Sequence, residues 1–252
     1  SDFQPWDSAF YAERLRQERY HMSAEDLRPY FPLPQVQQGL FEIIKRLYGV
    51  TFKQVPADTW HEDVICYGVY NSDSDLIAHC FTDLYVRNNK RGGAWMDECR
   101  TRRVGADGTL HLPAAYVICN FNRPIENDPA LLMHDDVLTL FHEFGHALHQ
   151  MLSKVDVAAV SGINGVAWDA VELPSQFMEN WAWEREGLDL ISKHYKTGAK
   201  LPDELYSNML RAKNFQSAMQ MLRQIEFSLR SFYSTHTRCT QARRTSAGDR
   251  PS

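Results

Sequence analysis

Residues 141–149 read Phe-His-Glu-Phe-Gly-His-Ala-Leu-His. His142 and His146 stand four apart with Glu143 directly after the first, in the pattern H-E-x-x-H. One helical turn is ~3.6 residues, so on a helix both imidazoles project from one face, about 6 Å apart along the axis. They can converge there on a single metal ion. Glu143 lies beside them and can take a proton from a water that the metal holds. Zinc lowers the pKa of such a water from about 15.7 toward about 7, which a carboxylate base can match. A helix that merely turns His and Glu to solvent would show the same letters, so a third ligand has to be found.

His149 is the nearest in sequence, but it lies seven residues from His142, about 10 Å along the axis. Nitrogens that share one zinc sit only about 3–3.5 Å apart, given Zn–N of about 2.0–2.1 Å. His149 therefore reads as a core or supporting histidine. The longer pattern H-E-x-x-H-x-x-G-x-x-H fails too, because His149 stands at the glycine position and Leu152 at the last histidine. Carboxylates follow in Val171-Glu172-Leu173-Pro174-Ser175-Gln176-Phe177-Met178-Glu179. Glu172 and Glu179 are two turns apart on one face. One can ligate and the other can orient a ligand histidine, and spacing does not choose between them.

These groups need elements to hold them. Asp135 or Asp136 can cap a helix running to about Ser153, with Val137, Leu140, Phe141, Phe144, Leu148 and Met151 as its apolar face. A Gly-containing loop follows at Ser161–Gly165, and a second helix is predicted over 169–187. Asp7 is the expected N-cap of a helix over 8–21. A further helix holds Leu40 to Tyr48, with Gly49 ending it. Helices are also predicted at 203–213 and from there to about Tyr233. Val64 to Tyr70, Ile77 to Val86 and Ala114 to Phe121 are rich in β-branched and aromatic residues and read as strands. Asn71-Ser-Asp-Ser-Asp75 is a turn, so the first two form a hairpin. The strand at Ala114–Phe121 is one that an extended peptide could pair with. The fold expected is mainly α with a small sheet, an α+β class. The last stretch, Ser234 to Ser252, has four arginines, one acid and no Leu, Ile, Val, Phe, Trp, Tyr or Met. It cannot bury enough apolar surface to offset its ordering entropy and is expected as a disordered tail after a 1–233 domain.

Composition narrows the classes. Of 252 residues, 27 are Lys or Arg and 32 Asp or Glu, a formal net charge of -5. That excludes a nucleic-acid binder driven by phosphate neutralisation. No apolar run approaches the ~18–20 residues of a membrane span. The five cysteines are odd in number and widely spaced without C-x-x-C. They read as reduced thiols in the cytoplasm. Ser1 to Trp6 shows no signal-peptide pattern.

Phe141 to Trp183 resembles the thimet oligopeptidase and oligopeptidase A family of zinc metallopeptidases, most like its bacterial oligopeptidase A and dipeptidyl carboxypeptidase members. Asn89-Lys-Arg-Gly-Gly-Ala-Trp-Met-Asp97, Cys119-Asn-Phe-Asn-Arg-Pro124 and Trp168-Asp-Ala-Val-Glu-Leu-Pro-Ser-Gln176 carry the likeness to about residue 233. The resemblance implies one zinc ion on His142, His146 and Glu172, with Glu143 as general base and Glu179 supporting the ligands. It implies a zincin-like catalytic core of a helical oligopeptidase, and a metalloendopeptidase acting on short peptides at the floor of a channel. Family members are far longer. They also carry a later His- and Tyr-rich stretch with paired glycines that binds substrate and the oxyanion. These 252 residues contain no counterpart, so turnover well below that of full-length relatives is expected. Apolar surface left bare on the helices of 169–233 predicts low stability or self-association.

Two other classes compete. An inactive fragment or pseudoenzyme would keep the fold for binding. A di-iron carboxylate bundle would use Glu143-Phe-Gly-His146 with Glu172 and Glu179, but it wants a second E-x-x-H, which the ten histidines do not supply.

Overall fold

The computed structural model describes the backbone over residues 3–247 and side chains over residues 3–233, Pro5 excepted. Its helices are α1 (Pro5–Tyr20), α2 (Ala24–Leu27), α3 (Leu33–Tyr48), α4 (His134–Met151), α5 (Leu173–Glu179), α6 (Arg185–Ile191), α7 (Asp203–Ala212) and α8 (Ser217–Ala247). Its strands are β1 (Thr51–Gln54), β2 (Ile65–Tyr70), β3 (Leu76–Tyr85), β4 (Trp95–Arg100), β5 (Arg103–Val104), β6 (Leu110–His111) and β7 (Ala114–Phe121). With 45% helix and 18% strand the class is α+β, as predicted.

Five strands make one mixed sheet in the order β1-β2-β3-β7-β4. β2 and β3 are the predicted hairpin, antiparallel with Cys66 opposite Phe81. Asn71 makes the turn, its side-chain oxygen accepting the N–H groups of Asp73 and Asp75 at 3.0 and 2.8 Å. β3 runs parallel to β7, and β4 closes the far edge antiparallel to β7. This corrects one expectation: β7 has neighbours on both sides, so it cannot accept a peptide. Of the two edge strands, β1 and β4, the one beside β7 is β4, which the sequence reading missed. Trp-Met-Asp-Glu-Cys-Arg is too polar to read as a strand, because an edge strand guards itself with charge. Leu33 to Tyr48 ends on Gly49 at φ 70°, the left-handed position that glycine takes without strain.

α4 packs on β7, β4 and β3, and α5 packs on α4. Phe144 is fully buried; its ring lies 5.9 Å from Phe41, which stacks on Phe52 at 4.4 Å. That cluster ties α4 to α3 and β1. On the sheet, Asp83 and Lys90 are buried together, with Lys90 Nζ donating to Asp83 Oδ1 at 2.8 Å.

Two other helices differ from the sequence reading. α1 starts at Pro5, and Asp7 is no N-cap but sits inside the first turn, accepting the Gln4 N–H at 2.8 Å. The helix predicted over 169–187 is broken into α5, a 3₁₀ turn at Asn180–Ala182 and α6. Pro174 is the reason at its start: a proline fits only the first turn, so the helix begins at Leu173 and leaves Glu172 just outside it.

Met22–Tyr206 form one unit, carrying the sheet and the residues discussed below. The chain up to His21 and from Ser207 forms another, in which Tyr20 meets Phe215 edge-on at 5.8 Å. α8 continues to Ala247, through most of the stretch predicted as a tail. No Gly or Pro interrupts the chain between Ser217 and Ala247, so nothing there breaks a helix. Residues 248–252 lie outside the described residues. Along α8, Met219, Met221, Leu222, Ile225, Phe227 and Phe232 are exposed. Among the described residues no helix is long and apolar enough to cross a membrane.

Candidate metal centre

α4 presents two faces. Val137, Leu140, Phe141, Phe144, Leu148 and Met151 are all buried against the core, as predicted. Its first turn is closed by Asp136, whose carboxylate accepts the Met133 N–H at 2.9 Å. His142 and His146 project from the other side with ring centres 4.9 Å apart.

Glu172 reaches both of them. Its Oε2 lies 3.2 Å from His142 Nε2 and 3.1 Å from His146 Nε2. Donors sharing one tetrahedral zinc stand about 3–3.5 Å apart, so these three atoms have the spacing of a ligand set. Among the described residues they are the one group of three whose ligand atoms can hold a metal, within 4.8 Å of one another. Among the described residues no second cluster serves a di-iron centre.

Glu179 takes the other side of His142, with Oε1 2.7 Å from Nδ1. A carboxylate accepts, so its place beside Nδ1 favours the tautomer with the proton on Nδ1, the one that leaves Nε2 for a metal ion. The two glutamates that spacing could not tell apart are therefore separated by which nitrogen each meets. His149 is outside the group; its Nδ1 is buried with no hydrogen-bond partner, and burial pushes its pKa down.

Glu143 is buried between α4 and the sheet edge. Burial pushes its carboxyl pKa up, His142 and the backbone N–H of Met96 on β4 pull it down, and Glu172 adds a smaller upward push. A strand residue that turns its N–H toward a side chain does not spend it on its neighbour in the ladder. Burial also holds His146 below its ordinary pKa, which favours the neutral imidazole that binds metal. The Glu172 carboxyl is held down first by the Ser175 hydroxyl, which donates to Oε2 at 2.8 Å. Ser175 and the Met96 N–H were not singled out in the sequence. For Ser175 the signal was there, a serine three residues after a candidate ligand at a helix start.

The two middle residues of H-E-F-G-H have separate tasks. Phe144 anchors the helix in the core. Gly145 lets α5 come close: a Cβ there would lie 2.5 Å from both the Pro174 carbonyl oxygen and Ser175 Cα. Both obstacles are backbone, so the helices would have to part. Gly145→Ala is expected to cost about 1–3 kcal/mol of stability. It should also weaken metal binding by moving Glu172 away from the histidines. Urea unfolding with a zinc titration checks both; an alanine variant with unchanged zinc affinity would refute this account of the glycine.

The loop between α4 and α5 is latched to the sheet edge. Asn164 donates to Glu98 Oε2 at 2.7 Å, and Gln150 of α4 accepts the Ile163 N–H at 3.1 Å.

Residues 1–243 match peptidase family M3. Oligopeptidase A of Escherichia coli (strain K12) is 55% identical over 232 residues, 92% of this chain and 34% of that protein. The probable cytosolic oligopeptidase A of Arabidopsis thaliana is 45% identical over 231 residues, 88% of this chain and 33% of that protein. Dipeptidyl carboxypeptidase of Escherichia coli (strain K12) is 37% identical over 222 residues, 86% and 32% respectively. The chain thus spans about a third of the length of these relatives.

Proposed function

The chain belongs to peptidase family M3, and from that premise we propose that it carries the metal centre of a zinc-dependent endopeptidase for short peptides. His142, His146 and Glu172 hold one zinc ion, Glu143 is the general base and Glu179 orients His142. The observation that carries this reading is Glu172 Oε2 standing 3.1–3.2 Å from both Nε2 atoms, with Glu143 next to them in the chain. The donor set, two imidazoles and one carboxylate, is one that favours zinc.

Zinc held there supplies Lewis-acid polarisation of a peptide carbonyl and a water acidic enough for a carboxylate to deprotonate. The chain's own residues do the rest. Glu143 receives the proton on its carboxylate and hands it to the departing amine. The Met96 N–H fixes the carboxylate in place while it does so. The β4 edge runs beside Glu143, and the main-chain groups there that Glu143 and Gln150 do not take are ones to which an extended peptide can add as a strand. The relatives named as oligopeptidases and as a dipeptidyl carboxypeptidase support peptides as substrates. The four described cysteines are free thiols, which supports a cytoplasmic setting.

The first test is elemental analysis of protein purified without added metal. About one zinc per chain supports the site; no metal, or a different one, sinks the reading. As a 252-residue chain without the His- and Tyr-rich stretch, it should turn over a quenched peptide slowly, since losing one oxyanion donor costs about 10²–10³. Family-like turnover would count against that. Trp168 and Leu173 are 94% and 73% exposed, which supports self-association. Sedimentation should show species above the monomer, and a lone monomer at high concentration would refute it.

A further inference from the structure

Ser175 has no place in the reading above, yet it is fully buried beside the candidate ligand. Its hydroxyl lies 2.8 Å from Glu172 Oε2 and 2.9 Å from the Glu172 main-chain carbonyl oxygen. A serine has one proton to donate. One proton therefore faces two acceptors, and the two belong to the same residue. The first is also the oxygen that approaches both imidazoles.

We propose that Ser175 is a positioning residue for Glu172: its hydroxyl donates to Oε2 and holds that oxygen at the point the two imidazoles share, leaving the oxygen's other lone pair for a metal ion. This rests on the zinc reading above. Glu172 is half exposed, with 49% of its side chain open, so without a tether its carboxylate is free to swing toward water. Oε2 has more than one lone pair, so it can keep the hydroxyl's hydrogen bond and still serve as a metal ligand. The close approach of α4 at Gly145 fixes the backbone from which the Ser175 side chain projects.

The test is zinc affinity by competition with a chromophoric chelator, for the wild type, Ser175→Ala, Glu172→Ala and the double variant. Thermal unfolding is followed on the metal-free proteins. Ser175→Ala should bind zinc about 10–100-fold more weakly, the range seen when a ligand loses its supporting partner. In the Glu172→Ala background it should cause no further loss. Cobalt substituted for zinc should show weakened tetrahedral absorption in Ser175→Ala. A general structural role would lower the residual affinity of the two histidines in both backgrounds, and that result overturns the proposal. So does a Ser175→Ala affinity within about twofold of wild type while Glu172→Ala binds poorly, which leaves the zinc site standing. If Glu172→Ala binds as well as wild type, the zinc reading falls and this proposal with it. Should Ser175→Ala not fold, Ser175→Cys keeps the size with a poor donor, and the same cycle is read from it.

Discussion

Glu143→Gln is expected to keep its zinc and lose about 10²–10⁴-fold in peptide hydrolysis. The two halves of that result separate the ligands from the base. Glutamine has the shape of glutamate, and its amide oxygen can still accept the Met96 N–H that steadies Glu143. None of His142, His146 and Glu172 is touched, so zinc content should stay near the wild-type value. What the amide cannot do is take up a proton at neutral pH. The surroundings of Glu143 suit a base that must also give the proton back: burial lifts its pKa above the ordinary glutamate range. Zinc analysis and a quenched fluorogenic peptide are measured on the same preparation. Activity equal to wild type would exclude Glu143 as the base. A variant that loses both metal and activity would make the residue structural.

Lys90→Met should destabilise the fold by about 3–5 kcal/mol in urea unfolding, the usual cost of breaking one side of a buried charge pair. Lys90 is 5% exposed, and its three N–H groups are shared among four acceptors at 2.6–2.9 Å: Asp83 Oδ1 and the Asp83, Tyr85 and Cys119 carbonyls. It therefore pins β3 to β7, the strand that carries the β4 edge on its other side. Methionine keeps most of the stem but leaves Asp83 to Arg87 and Trp60, and leaves three carbonyls without their donor. The same network sets an acid limit. Burial alone would raise the Asp83 pKa, but bonds from Arg87, Lys90 and Trp60 outweigh it and hold it at about 2. An unfolded Asp titrates near 3.9, so the folded pKa is depressed. Asp83 then contributes about 2 kcal/mol above about pH 4, lost as the pH falls toward about 2. Asp83→Asn should flatten the stability profile in that window. An unchanged acid slope in Asp83→Asn, or a Lys90→Met variant as stable as wild type, would refute this role.

Some of this protein is legible in the order of its residues. His142, Glu143 and His146 declare themselves because helical geometry turns a four-residue spacing into one face. The buried side of α4 is legible for the same reason. The β2–β3 hairpin is legible through Asn71, whose side chain builds the turn locally. Each of these depends on neighbours a few residues apart, where chain geometry alone sets the distance. The edge strand β4 was hidden by its own polar residues. The break between α5 and α6 was hidden by an apolar pattern that continues across it, although Pro174 marked where α5 had to start.

Spacing did not tell the two glutamates apart; only the family resemblance singled out Glu172. Glu172 and Glu179 share one spacing and one chemistry, and periodicity puts both on one side. What separates them is the packing of α5 on α4 at Gly145, which brings one carboxylate to the Nε2 atoms of both histidines and the other to Nδ1 of His142. The Met96 N–H and the Lys90 network are decided in the same way, by groups up to 47 residues apart meeting across packed elements. Sequence determines which chemistry this chain can offer, because residue type and local spacing are carried by the chain itself. Only the tertiary structure decides which carboxylate meets which imidazole nitrogen, because that is set by contacts that no local pattern encodes.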